Sequence, residues 1–222
     1  NGGTVKLNSK VVKVNHTGYN VDSIEYVDKD GNITVEQGTN FISSIPLTEL
    51  IKILNPKPPE EVLKAAEELK YRSLLTVDII VNKKVVFPDN WIYIHSPEVK
   101  LGRIQNFKNW SDKMAPNKEK TSLGLEYFCD ENDELWNMTD EELFKLASEE
   151  VEKIKICKAS EIEDYVIVRV PKAYPVYNYG YKTYLKTIVD YTKKFNNLQF
   201  IGRYGMFKYN NMDHSMLTGV NA

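Results

Sequence analysis

Gly202-Arg203-Tyr204-Gly205-Met206-Phe207-Lys208-Tyr209-Asn210-Asn211-Met212-Asp213-His214-Ser215 decides how the rest of this chain is read. The stretch follows the short apolar run Leu198-Gln199-Phe200-Ile201, a buried strand. It precedes Met216-Leu217-Thr218-Gly219-Val220, the first turns of a helix, with Asn211, Met212 and Asp213 at its opening. A strand, a glycine-containing turn and a helix N-terminus let a ligand lie against bare backbone N–H groups. Arg203 adds a planar, permanently charged donor fork, and Tyr204, Phe207 and Tyr209 add aromatic walls. That combination suits a phosphate-bearing or flavin-like ligand.

Working outward, the segments on either side are mixed in type. Residues 4–46 read as β structure. Val5 and Leu7 with Val11, Val12 and Val14 suggest a strand pair, and Val21–Val27 is a second run. Asp30-Gly31 is a hairpin turn before Ile33-Thr34-Val35. Asn40–Ile45 is a short strand halted by Pro46. Leu47–Leu54 reads as a brief helix, and Pro59–Leu69 as a longer one with proline and acids in its first turn. Strands follow at Leu74–Val81, Val85–Phe87, Trp91–Ile94, Arg103–Phe107 and Thr121–Phe128. Thr139-Asp140-Glu141-Glu142 is a capping box that opens a helix to about Lys153. Tyr165–Val170 is a strand closed by Pro171, and Tyr181–Phe195 is a helix.

This order predicts a mixed α/β fold in which one domain interrupts another. Residues 1–46 and 171–222 form one unit, and residues 47–170, an antiparallel sheet with helices, are inserted as a second. No Gly-x-Gly-x-x-Gly turn occurs, although dinucleotide-binding domains normally open with one. The chain is therefore expected to be a portion of a longer polypeptide.

Composition narrows the function. The 222 residues are 42% hydrophobic and 27% charged, with a formal net charge of −2. That balance offers no basic surplus for neutralising nucleic-acid phosphates. No apolar run reaches the ~20 residues of a membrane helix. Cys129 and Cys157 stand in unrelated contexts with no metal-ligand spacing, which fits a reduced, cytoplasmic setting.

Phe200-Ile201-Gly202-Arg203-Tyr204-Gly205, then Tyr209 and Asn211-Met212-Asp213-His214-Ser215, with Gly219-Val220 and Ala222 beyond, resemble the C-terminal flavin motif of UDP-galactopyranose mutases. Trp91-Ile92-Tyr93, Pro97-Glu98, Arg103 and Asn109-Trp110-Ser111 are similar to segments of the same family, as is Ala173-Tyr174-Pro175-Val176-Tyr177. Ile42-Ser43-Ser44-Ile45-Pro46-Leu47 is shared more widely with flavin amine oxidases and protoporphyrinogen oxidases. The chain departs from the mutases in a shorter turn between Tyr209 and Asn211, in Met212 where glutamine is common, and in Tyr177 where a second proline is common.

The resemblance implies a partial FAD-binding, Rossmann-like domain with an inserted substrate domain, and FAD as cofactor, reduced in a mutase. In that family flavin N5 attacks the anomeric carbon of a UDP-sugar and expels UDP. Ring opening and reclosure of the adduct then interconvert pyranose and furanose, so no protein side chain is expected to be the catalyst. Val11, Gly202, Asn211 and Met212 are implied at the cofactor. Tyr93, Arg103, Tyr174, Arg203 and Tyr209 are implied at the substrate, with Arg103 and Arg203 on one pyrophosphate. His214 is read as structural. The expected partner is a UDP-sugar or other small-molecule substrate and not nucleic acid, and the sequence leaves open whether the chain forms a homo-oligomer. The alternative is an FAD-dependent oxidoreductase of the amine oxidase or protoporphyrinogen oxidase type, transferring hydride from substrate to flavin.

Overall fold

In the computed structural model, which describes residues 2–115 and 117–222, the chain runs through β1 (Lys10–Thr17), β2 (Asn20–Val27), β3 (Ile33–Gln37), β4 (Phe41–Ser43), α1 (Leu47–Ile53), β5 (Leu54–Asn55) and α2 (Glu60–Glu68). It continues through β6 (Lys70–Val81), β7 (Trp91–Tyr93), β8 (Arg103–Asn106), α3 (Phe107–Trp110), β9 (Thr121–Cys129), α4 (Glu134–Asn137), α5 (Asp140–Lys153) and β10 (Ile162–Val176). α6 (Tyr181–Thr192), β11 (Leu198–Phe200), α7 (Gly202–Gly205) and α8 (Met212–Val220) complete it. No described helix is long and apolar enough to cross a membrane.

Two compact units result. The first holds Asn1–Tyr71 and Tyr174–Ala222, and the second holds Arg72–Ala173. Residues 47–71, expected in the inserted lobe, belong to the first unit. Pro46 does not end a segment but opens α1, accepting hydrogen bonds from Glu49 and Leu50 at its carbonyl. α1 and α2 then carry Leu47, Leu50, Ile51, Val62, Ala65 and Ala66 into one core with Ile188, Tyr191, Phe195, Leu198 and Phe207.

The first unit has a four-stranded sheet in the order β3-β2-β1-β5 and a two-stranded parallel pair, β11-β4. Asp28 fixes the β2–β3 hairpin by accepting from the backbone of Asp30 and Asn32. Val5 and Leu7, expected in a strand, lie outside any strand and are exposed. The β1 partner comes instead from β2.

The second unit is a five-stranded sheet in the order β10-β6-β9-β8-β7. Its inner face packs against α5, with Leu75, Val77, Ile79, Leu123, Leu125, Leu143, Ala147 and Val151 in one buried cluster. Thr139 and Glu142 form the predicted capping box of α5. Residues 85–87 form no strand. β10 runs through Pro171, where a stop was expected. The strand is at the sheet edge, where proline is tolerated at positions whose N–H would face away from the neighbouring strand.

Candidate functional site

Within the first unit the sequence stretch quoted above folds as a short helical turn, a loop and α8. Gly202 has φ of +72°, a left-handed conformation that only glycine adopts without strain, and its missing side chain leaves open space. Its N–H is donated to Thr218 Oγ1 at 2.9 Å, which ties the turn to α8. Gly205 packs its Cα against β4: an added Cβ would lie 2.7 Å from the Ser43 carbonyl oxygen. Phe207 also has a positive φ, +48°, and is held there by burial against Tyr71, Tyr177 and Tyr181.

Tyr71 closes the base of this loop. Its hydroxyl donates to the Tyr204 carbonyl at 3.0 Å and accepts from the Leu47 N–H at 3.2 Å. Burial pushes its phenol well above the ordinary range, so it stays protonated as the donor that geometry requires.

Arg203 stands at the centre of the site. Its Nε and Nη2 both donate to the Asn210 carbonyl, at 2.9 and 2.8 Å. Its guanidinium carbon lies 4.9 Å from the Tyr174 ring centre and 4.7 Å from that of Tyr209. The two rings stack at 5.9 Å. Tyr177 fixes Tyr209 by accepting its backbone N–H at 2.7 Å. The structure therefore brings Arg203, Tyr174 and Tyr209 together with Tyr177, which the sequence marks as a departure from the mutase motif, and adds Tyr71 and Asn210, which the sequence did not single out.

Ser44, Gly202, Arg203, Asn210, Asn211 and Met212 line a cavity of about 440 Å³ at the start of α8. α8 is nine residues long, capped by Asn211, whose N–H meets His214 Nδ1 at 3.4 Å. His214 thus helps to cap the helix. Asn210 is 4% exposed, and its side-chain Nδ2 has no hydrogen-bond partner among the described residues. A buried donor without a partner is costly, and a ligand acceptor removes that cost. With the first N–H groups of α8 and the fixed charge of Arg203, the donor set fits the acceptor-rich, anion-tolerant edge of a flavin.

Val11 lies in β1, opposite Tyr26 of β2. β5 pairs the other edge of β1 only at Val14 and Asn15, so around Val11 that edge carries no described strand. Val11, Ile24 and Tyr26 share a cavity of about 340 Å³.

Tyr93 and Arg103 belong to the second unit. Register sets two rows across the outer face of its sheet: Tyr93, Arg103, Glu126 and Thr76 in one, and Trp91, Gln105, Gly124 and Asp78 in the other. Arg103 Nε donates to Glu126 Oε2 at 2.7 Å, and Nη2 also meets Glu126, so the fork is engaged by a carboxylate. Its Nη1 reaches the Tyr93 hydroxyl at 3.4 Å. Gln105 Nε2 donates to Glu126 Oε1 at 3.1 Å, and Trp110 Nε1 donates to Gln105 Oε1 at 3.2 Å. Trp91 stacks flat on Trp110, 5.1 Å between ring centres. Asp78 completes the face. Burial, with the nearby Glu126 charge, pushes its carboxyl up to about 6. Glu126 could have been flagged from sequence only by pairing β8 with β9 in the right register.

The flavin containing amine oxidoreductase family matches residues 1–222, and the chain belongs to that family. Its fold is similar to that of a reduced UDP-galactopyranose mutase, with a TM-score of 0.77 at 18% identity over 96% of this chain and 44% of that one. It is also similar to a protein from Exiguobacterium sp. 255-15 assigned as a protoporphyrinogen oxidase, with a TM-score of 0.69 at 16% identity over 96% and 45% of the two chains. A putrescine oxidase redesigned in its cofactor binding gives 0.68 at 12% identity over 96% and 47%. At these identities the likeness is one of fold, and the chain spans less than half the length of each. No curated protein matches the chain in sequence.

Proposed function

We propose that the chain forms part of an FAD-dependent enzyme that interconverts the pyranose and furanose forms of a UDP-sugar. The observation that carries this reading is the Arg203–Asn210 arrangement: a fixed cation against two tyrosine rings, beside a buried amide donor with no partner among the described residues and the start of α8. Reduced FAD, when bound, supplies the nucleophile, its N5, for attack on the anomeric carbon. The residues of this chain orient and polarise. Asn210, Asn211 and the N–H of Met212 are assigned to the flavin edge, where the α8 dipole favours the negative charge of the reduced ring. Val11 is assigned to the adenine end. Arg203 supplies the charge that holds the pyrophosphate, with the Tyr174 and Tyr209 hydroxyls as further donors.

A second reading is an oxidoreductase that passes hydride from substrate to flavin. It is favoured by Arg103, whose charge is offset by Glu126 and is a poor clamp for a second pyrophosphate contact.

Calorimetric titration of the reduced full-length protein with UDP decides between them. The mutase reading expects binding at micromolar to sub-millimolar ligand. A protein that carries flavin yet shows no heat with millimolar UDP assigns the chain to the oxidoreductase class.

A further inference from the structure

We infer that Tyr177 is a positioning residue of the ligand site in the first unit: its hydroxyl holds the backbone of Tyr209, and through it the phenol that flanks Arg203. For the identity of the ligand as a nucleoside diphosphate the inference rests on the nucleotide-sugar reading. The positioning itself stands on the contacts of the loop from Arg203 to Asn210.

That loop is tied largely to itself and to its base. The Arg203 fork reaches the Asn210 carbonyl across its ends. The Lys208 N–H donates to the Arg203 carbonyl at 3.1 Å, and the Phe207 N–H to that of Tyr204 at 3.3 Å. Tyr71 holds the Tyr204 carbonyl from below. The Tyr209 N–H is different. Its acceptor is the Tyr177 hydroxyl, 32 residues earlier, at 2.7 Å.

Tyr209 needs such a tie. It is 54% exposed, so packing alone does not fix it. Its ring nevertheless lies 4.7 Å from the Arg203 guanidinium carbon and stacks on Tyr174 at 5.9 Å. The bond at its amide sets where the backbone passes, and so where the ring can lie. Tyr177 is itself a firm support. Its ring stacks at 4.6 Å on Tyr181, the first residue of α6, and meets the buried Phe207 edge-on at 6.2 Å. Offset-stacked and edge-on pairs of this kind hold a preferred geometry.

Two departures from the mutase pattern meet in this one bond. The turn between Tyr209 and Asn211 is shorter, and tyrosine stands at 177 where a second proline is common. A shorter turn has fewer carbonyls of its own to offer the Tyr209 N–H, and a proline side chain carries no acceptor. Tyrosine supplies the acceptor from outside the loop, so the two changes act as one adaptation.

The test uses the full-length protein with Tyr177→Phe, Tyr209→Phe and the double variant. Tyr177→Phe removes the hydroxyl and keeps the ring contacts. The first measurement, hydrogen exchange at the Tyr209 amide, needs no ligand. Wild type is expected to slow that exchange roughly tenfold or more, and Tyr177→Phe to lose most of the protection while the α6 amides keep theirs. The second is calorimetric titration of the reduced protein with UDP. Each single substitution is expected to weaken UDP about threefold to tenfold, and the double variant to be no weaker than Tyr209→Phe, because Tyr177 acts through Tyr209. An unprotected Tyr209 amide in wild type, or protection that survives in Tyr177→Phe, would overturn the proposal whether or not UDP binds. UDP losses that multiply in the double variant would also overturn it, since Tyr177 would then act on the ligand independently, and so would an unchanged affinity in Tyr177→Phe. Protection lost in Tyr177→Phe, with no UDP binding by wild type, would remove the nucleotide reading and keep Tyr177 as the support of Tyr209. If the double variant fails to fold, the exchange measurement and the Tyr177→Phe titration still decide.

Discussion

Asp78 and Arg203 are single residues whose environments set measurable outcomes. The Asp78 carboxyl has its pKa raised from the ordinary 3.8 to about 6, mainly by burial. An acid raised in this way binds its proton more tightly in the folded state. Its ionisation therefore costs stability as pH rises from about 4 through 6, and costs nothing below that, where folded and unfolded chains both carry the proton. Asp78→Asn is expected to match wild type at pH 3.5 and to gain about 1 kcal/mol at pH 7, after allowance for its partial solvation. Urea unfolding at the two pH values checks this, and a gain of equal size at both would refute the assignment. Arg203→Lys keeps charge but cannot chelate the Asn210 carbonyl with a rigid fork. UDP affinity is expected to fall roughly tenfold, with flavin content little changed, as read by calorimetry and the absorbance ratio. Neither residue was equally visible in advance. Arg203 stands in a motif, whereas Asp78 is one acid among many until register sets it beside Glu126.

At the scale of elements, two local devices carry the site. The turn at Gly205 depends on a close approach to the Ser43 carbonyl, so Gly205→Ala must push α7 away from β4. A loss of about 1–3 kcal/mol is expected in thermal unfolding, together with a lower flavin content. Thr139→Ala removes half of the capping box on α5 and is expected to cost about 1 kcal/mol without touching flavin content. Most elements were legible because their signals are local: the Asp30-Gly31 hairpin, the Thr139 box, the proline and acids before α2. The misses share a cause, which is that the deciding partner is remote in sequence. Pro171 looked like a strand end, and only the edge position of β10 makes it harmless. Val5 and Leu7 alternate like a strand but form no strand pairing with the described residues. The candidate site was legible in its motif residues, and its supporting residues were not. Tyr71 and Glu126 act through one hydroxyl or carboxylate each, aimed by contacts that no spacing rule encodes.

For the whole molecule, the two units differ in how their chain is supplied. The second is continuous, Arg72–Ala173, with its own buried cluster. Expressed alone, that segment is expected to unfold cooperatively, with near-ultraviolet circular dichroism from its packed aromatics. The first 71 residues alone are expected to show neither, because Ile188, Tyr191, Phe195, Leu198 and Phe207 of their core lie in the later stretch. A cooperative transition from residues 1–71 alone would refute this division. The split core also has a consequence for the chain as it is made. Leu47, Leu50 and Ile51 leave the ribosome well before the residues that cover them, and at cellular elongation rates the wait is on the order of ten seconds. During that interval the early half is an apolar surface without its lid, while the middle unit can already fold behind it. Nascent chains stalled with residues up to Tyr181 outside the exit tunnel should therefore be avid clients of holdase chaperones, and those stalled with Phe207 outside it should not.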